Sequence, residues 1–173
     1  MRSQKKRVAL AAVFLAAGAG LAGCGFQLRG TADLPFETIY MPPAVGPGVM
    51  LDLKRNIQSG TRTTVVDDPA KAAAVLEFTQ EAREKSILSL NAAGRVSEFQ
   101  LRYRVAFRVH DNKGGDFLPT RTVLLTRDIT FSDSELLSSD AQEQLSYRDM
   151  QRDMVQQIMR LLATAQRPKP AAQ

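Results

Sequence analysis

Reactive side chains are scarce in this chain of 173 residues. It holds one cysteine, Cys24, one histidine, His110, and no tryptophan. A single thiol cannot close an intrachain disulfide or build a cysteine-based metal cage. A single imidazole beside a turn, without an acid or nucleophile at a useful spacing, leaves acid–base and nucleophilic catalysis without its partners. No phosphate-binding GxxxxGK[ST], HExxH or GxSxG motif occurs. Asp67-Asp68-Pro69 reads as a capped turn rather than a metal carboxylate pair. Asp116 and Asp128 lie near strand ends with no matching acid. The chain is therefore predicted not to be an enzyme and to need no cofactor or metal. No apolar run reaches the roughly 20 residues that a membrane-spanning helix needs. The longest, Val8 to Leu21, has 14.

Acidic residues are missing from positions 1–23, whereas Arg2, Lys5, Lys6 and Arg7 precede the apolar run. A basic start, a short apolar stretch and small residues after it make a secretory signal peptide over 1–23. This segment carries most of the excess positive charge. Of 23 basic residues four lie in it, so 19 remain against 18 acids, a net charge of +1 in place of +5. The pI near 9.7 thus says little about the mature chain. A near-neutral mature chain has no electrostatic footprint for nucleic acid.

The lone thiol stands where that segment ends. Leu21-Ala22-Gly23-Cys24 resembles the lipobox of bacterial lipoproteins at all four positions. The resemblance implies an S-diacylglycerol and an N-acyl (palmitoyl) group on Cys24, cleavage just before it, and firm anchoring without a span. Gly at position 25, where Asp would favour retention at the inner membrane, points to the periplasmic side of the outer membrane.

The rest of the chain, 44% hydrophobic overall with mean hydropathy −0.20, has the balance of a globular domain. Residues 24–35 read as a lipidated tether, 36–166 as one domain, and 167–173 as a disordered tail after Pro168. A strand is expected at 37–41, stopped by Pro42-Pro43. A helix opens at Pro47-Gly48, with Val49, Leu53 and Ile57 in line and Gly60 just past its end. A short strand follows over 61–66. From Phe99 to Val109 every odd position is apolar, and the even positions carry Gln100, Arg102, Arg104, Ala106 and Arg108. Strict period-two alternation means a strand with one buried and one wet face.

Val75 to Leu90 alternates less cleanly. Parity puts Leu76 and Phe78 on one side and Glu77, Thr79, Glu81, Arg83 and Lys85 on the other. Asn91-Ala92-Ala93-Gly94 joins these two runs as a hairpin, and Asp111–Gly115 leads into a third strand over 117–131. There Val123, Leu125 and Ile129 oppose a row of threonines. A long final helix carries a stripe of Met150, Met154, Ile158, Leu161, Leu162 and Ala165. Ser139 with Gln142, or Asp140 with Glu143, offers it a capping box. One apolar sheet face and two helices with one apolar stripe each imply an α+β two-layer sandwich. Its sheet is mostly antiparallel with four to five strands, and both helices pack on one face.

Two readings fit the row Arg102, Arg104 and Arg108. It is either a solvated face paired across the hairpin with Glu77 and Glu81, or a cationic surface for phosphorylated lipid. Arg95, at the hairpin tip, belongs to the second.

Cys24-Gly25-Phe26-Gln27-Leu28-Arg29-Gly30 resembles the mature start of the LptE family of outer-membrane lipoproteins. The likeness continues at Leu34-Pro35, at Ser97-Glu98-Phe99-Gln100-Leu101, and in the order of elements. It implies a non-enzymatic role: plugging and helping to assemble the LptD β-barrel, and binding lipopolysaccharide (LPS) during insertion into the outer leaflet. Arg95 matches the family's basic hairpin-tip position, and Arg102, Arg104 and Arg108 are further LPS-binding candidates. Ser132 to Glu143 departs from the family in having no basic residue before the last helix. The alternative is a free-standing outer-membrane lipoprotein that binds a soluble periplasmic ligand or scaffolds another envelope complex.

Overall fold

The computed structural model describes residues 33–131, apart from 45 and 47, and residues 136–167. The order of elements is β1 (Thr38–Tyr40), α1 (Val49–Gly60), β2 (Thr64–Val66), a 3-10 turn (Pro69–Lys71), β3 (Ala74–Leu90), β4 (Val96–His110), β5 (Asp116–Thr130) and α2 (Leu136–Ala163). The strands form one five-stranded sheet in the order β2-β1-β3-β4-β5. The short β1 runs parallel to both β2 and β3, and the two long pairs are antiparallel. The architecture agrees with the sandwich expected from the sequence, with a mixed sheet.

The odd residues of β4 anchor the core. Leu101, Tyr103, Val105, Phe107 and Val109 are inaccessible to solvent, as are Val49, Leu53 and Ile57 of α1. From α2, Met150, Met154, Ile158 and Leu162 close over them. Each such side chain stabilises the fold by about 1.5–3 kcal/mol through removal from water. Leu161 is only half-buried, and Tyr147 and Val155 extend the helix stripe instead.

Local caps fix the corners. Thr61 is the C-cap of α1, its amide and hydroxyl both donating to the Ile57 carbonyl, while Gly60 is the last helical residue rather than the one after it. Asp68 accepts the Ala70 amide at 3.0 Å, so the Asp-Asp-Pro stretch is the capped turn that its sequence suggests. In the β3–β4 turn Asn91 Oδ1 accepts the amides of Ala93 and Arg95, and Gly94 supplies φ +74°. In the β4–β5 turn Asp111 Oδ1 does the same for Lys113 and Gly115. Those amides hold the Asp111 carboxyl below its ordinary range, with Gly115 the larger cause.

Two further sequence expectations are overturned. The final helix begins at Leu136, so Ser139 and Asp140 lie inside it and form no capping box at its start. More consequential is the register of β3. Phe78 pairs with Phe107 but Gln80 with Ala106, so Thr79 is an extra residue in a β-bulge. Parity then inverts. Glu81, Arg83 and Lys85 stand opposite Val105, Tyr103 and Leu101. They share the helix-bearing face with Leu76 and Phe78, contrary to the simple alternation.

Candidate functional site

The bulge brings charge onto a face that the helices cover, and the structure uses it. Glu81 accepts the Tyr103 hydroxyl at 2.5 Å, and Arg83 donates to the same hydroxyl at 3.1 Å. The Arg83 guanidinium lies 4.6 Å from the Tyr103 ring centroid and 5.4 Å from that of Tyr147, a cation–π arrangement. It also donates to Gln151 on α2, whose amide nitrogen reaches Asp52 on α1 at 2.6 Å. Tyr147 donates to the Glu84 carbonyl, and Lys85 pairs with Glu143 at 2.6 Å over the Phe99 ring. On β5, Arg127 joins Asp149 and Asp153 of α2. Burial, reinforced by Glu81, pushes the Tyr103 hydroxyl up to about 12. These contacts tie both helices to the hairpin. The signal for them in the sequence is a charged stretch whose facing only a bulge settles.

The opposite face is covered by neither helix. Gln100, Arg102, Arg104, Ala106 and Arg108 of β4 lie there between Ser86, Glu84, Ala82, Gln80 and Glu77 of β3 and, for the first four, Asp128, Thr126, Leu124 and Thr122 of β5. Arg108 pairs with Glu77 at 2.7 Å, as the solvated-face reading expects. Glu81 does not take part, because the bulge has moved it to the other side. Arg102 donates to Gln100 at 2.9 Å, and Gln100 to Asp128 at 3.2 Å. Arg95 is exposed at the hairpin tip, far along the sheet from Arg108, so the four arginines do not converge on one point. Near that tip Ile87, Leu88 and Leu90 are exposed. Cys24 lies outside the described residues.

Catalytic geometry does not assemble around the remaining candidates. His110 Nδ1 is 2.8 Å from the Asp111 carbonyl, and its Nε2 is 3.9 Å from Glu77, an acid already engaged by Arg108. A groove of about 660 Å³ at the foot of the sheet is lined by Phe36, Phe117, Lys113 and Arg167 with Glu37 and Asp111. Thr38, also in its lining, has its hydroxyl bonded to the Lys71 carbonyl and the Ala73 amide. Among the described residues no cluster of three or more His, Cys, Asp or Glu could hold a metal.

Known proteins share this fold. Residues 36–162 match the family described as LptE, lipopolysaccharide-assembly. The chain belongs to the LptE family. An LPS-assembly lipoprotein LptE of Photorhabdus laumondii is 28% identical over 152 residues, covering 83% of this chain and 79% of the relative. That of Yersinia enterocolitica is also 28% identical, over 82% of this chain and 69% of its own. The solution structure of lipoprotein B from Nitrosomonas europaea superposes with a TM-score of 0.69 at 41% identity, covering 80% of this chain and 90% of the other. A minor lipoprotein of Acinetobacter baumannii has the same fold, with a TM-score of 0.63 at 21% identity over 79% of this chain and 99% of its own. LptE proteins are non-enzymatic LPS-assembly lipoproteins of the cell envelope. Among the described residues no helix is long and apolar enough to cross a membrane.

Proposed function

We propose that this LptE-family chain is the lipid-anchored subunit of an outer-membrane LPS translocon. It plugs an LptD-type β-barrel, helps that barrel to assemble, and holds LPS as it enters the outer leaflet. The observation that carries this reading is the family match across nearly the whole folded domain, 36–162. The fold is consistent with it: a plug in a wet lumen needs a rigid body with a polar outer surface, and the open sheet face of arginines and threonines is such a surface. Acylated Cys24 anchors the chain to the outer membrane from the periplasmic side through the 24–35 tether. Arg95, carried on the exposed hairpin tip, is the first candidate for an LPS phosphate, which a guanidinium binds through paired hydrogen bonds.

The test is a detergent pull-down of tagged full-length protein from its native envelope. Co-purification of a large β-barrel is expected, and its absence would leave a free-standing lipoprotein as the better account. Arg95→Ala is expected to lower LPS retention by about tenfold, the scale of losing one charge-assisted contact, with barrel recovery unchanged. Unchanged LPS retention would remove Arg95 from the ligand site.

A further inference from the structure

On the open sheet face the fold supplies acceptors for two of its three arginines and withholds one from the third. Arg108 has Glu77, and Arg102 has Gln100 with Glu84 directly opposite. Arg104, between them at the middle of β4, has Ala82 as its neighbour on β3 and Leu124 on β5. Among the described residues its side chain makes no hydrogen bond and no ion pair. Ala106, the next residue along the strand on the same face, is 6% exposed, while Leu124 is 47% exposed. The result is a half-buried arginine flanked on the strands by two alanines and one exposed leucine.

Arginine with an apolar surround on a flat surface is the composition of an interface hot spot, where exclusion of water strengthens the central charge pair. We infer that Arg104 and Leu124 form the centre of a docking surface for a protein wall that presents a carboxylate. This rests on the barrel-plug reading and names the part of the plug that meets the barrel's interior. A carboxylate is the complement of the fork on this face that has no bonded partner among the described residues. A protein is favoured over a lipid by the surrounding relief. Ala82, Ala106, Thr122 and Thr126 are short, so another polypeptide surface can approach closely. An acyl chain would find only Leu124, whereas the exposed Ile87, Leu88 and Leu90 lie at the hairpin's far end.

The test co-expresses the full-length chain with its barrel and measures barrel recovered per tagged subunit, together with LPS retained and the subunit's melting temperature. Arg104→Glu is expected to reduce barrel recovery by about tenfold or more, as loss of a buried charge partner does at interfaces. LPS retention per subunit and melting temperature stay at wild-type values. Arg104→Gln, which adds no new charge, is expected to lose less, and Leu124→Asp to lose a comparable amount. Undiminished barrel recovery in both Arg104→Glu and Leu124→Asp overturns the inference while leaving the plug intact. Loss of LPS with full barrel recovery overturns it in favour of a lipid site. If the wild-type chain recovers no barrel, the plug reading itself falls, and this inference with it.

Discussion

The two faces of the sheet hold similar charges and treat them in opposite ways. On the helix-bearing face Arg83 stacks between two tyrosines and bonds to Gln151, and Lys85 and Arg127 reach acids on α2. On the open face Arg104 has alanine and leucine beside it and no bonded partner among the described residues. On the helix-bearing face Arg83 and Lys85 stay in reach of solvent yet find acceptors on neighbouring elements, whereas half-buried Arg104 has none beside it among the described residues. Residue type is therefore a poor guide to role here, and the facing is decisive.

Stability measurements can break or sharpen this contrast. Ile158→Ala removes an inaccessible side chain from α2 where it closes over the covered face. It should cost about 2–5 kcal/mol in urea denaturation, since the cavity cannot fully collapse. Arg83→Ala deletes a donor to Tyr103 and Gln151 and the stack on two rings. A loss of about 1–2 kcal/mol is expected. A loss indistinguishable from zero would mean that the covered-face cations are as idle as those on the open face.

The Tyr103 hydroxyl gives a pH signature. Its ordinary value is 10.0 and burial raises it to about 12 in the folded chain. The folded state thus holds its proton more tightly, so the contribution is fully present below pH 10 and is lost as pH rises from about 10 to 12. Thermal melts between pH 9 and 12 should fall less steeply for Tyr103→Phe than for wild type. Equal slopes would show that the hydroxyl is not shielded. The smallest effect belongs to the open face: Arg104→Ala should change stability by no more than about 0.5 kcal/mol, as surface substitutions without a bonded partner do.

Much of the fold is legible in the sequence because period-two and helical spacings report which side of an element loses water. The odd row of β4, the Val49-Leu53-Ile57 stripe and both hairpin turns lie where those patterns place them. Family membership was legible too, in the Cys24–Gly30 heptapeptide and in the order of elements. The β3 charges were not. Alternation counts residues, and a bulge adds one that belongs to neither face, so positions 80–87 are assigned to the wrong side until a second register shift after Ile87. The start of α2 was misplaced because two plausible capping boxes begin at Ser139 and Asp140, within a helix that already runs from Leu136.

By itself, then, the sequence determined the layers, the elements and the sidedness of β4, because those follow from local spacing and the loss of water along one stripe. Only the tertiary structure decided that Arg83 and Lys85 reach α2, with Glu81 beside them on Tyr103, while Arg104 faces the other way with no bonded partner among the described residues. That division depends on the cross-strand register of β3 against β4, a relation between residues some 20 positions apart that no local pattern encodes.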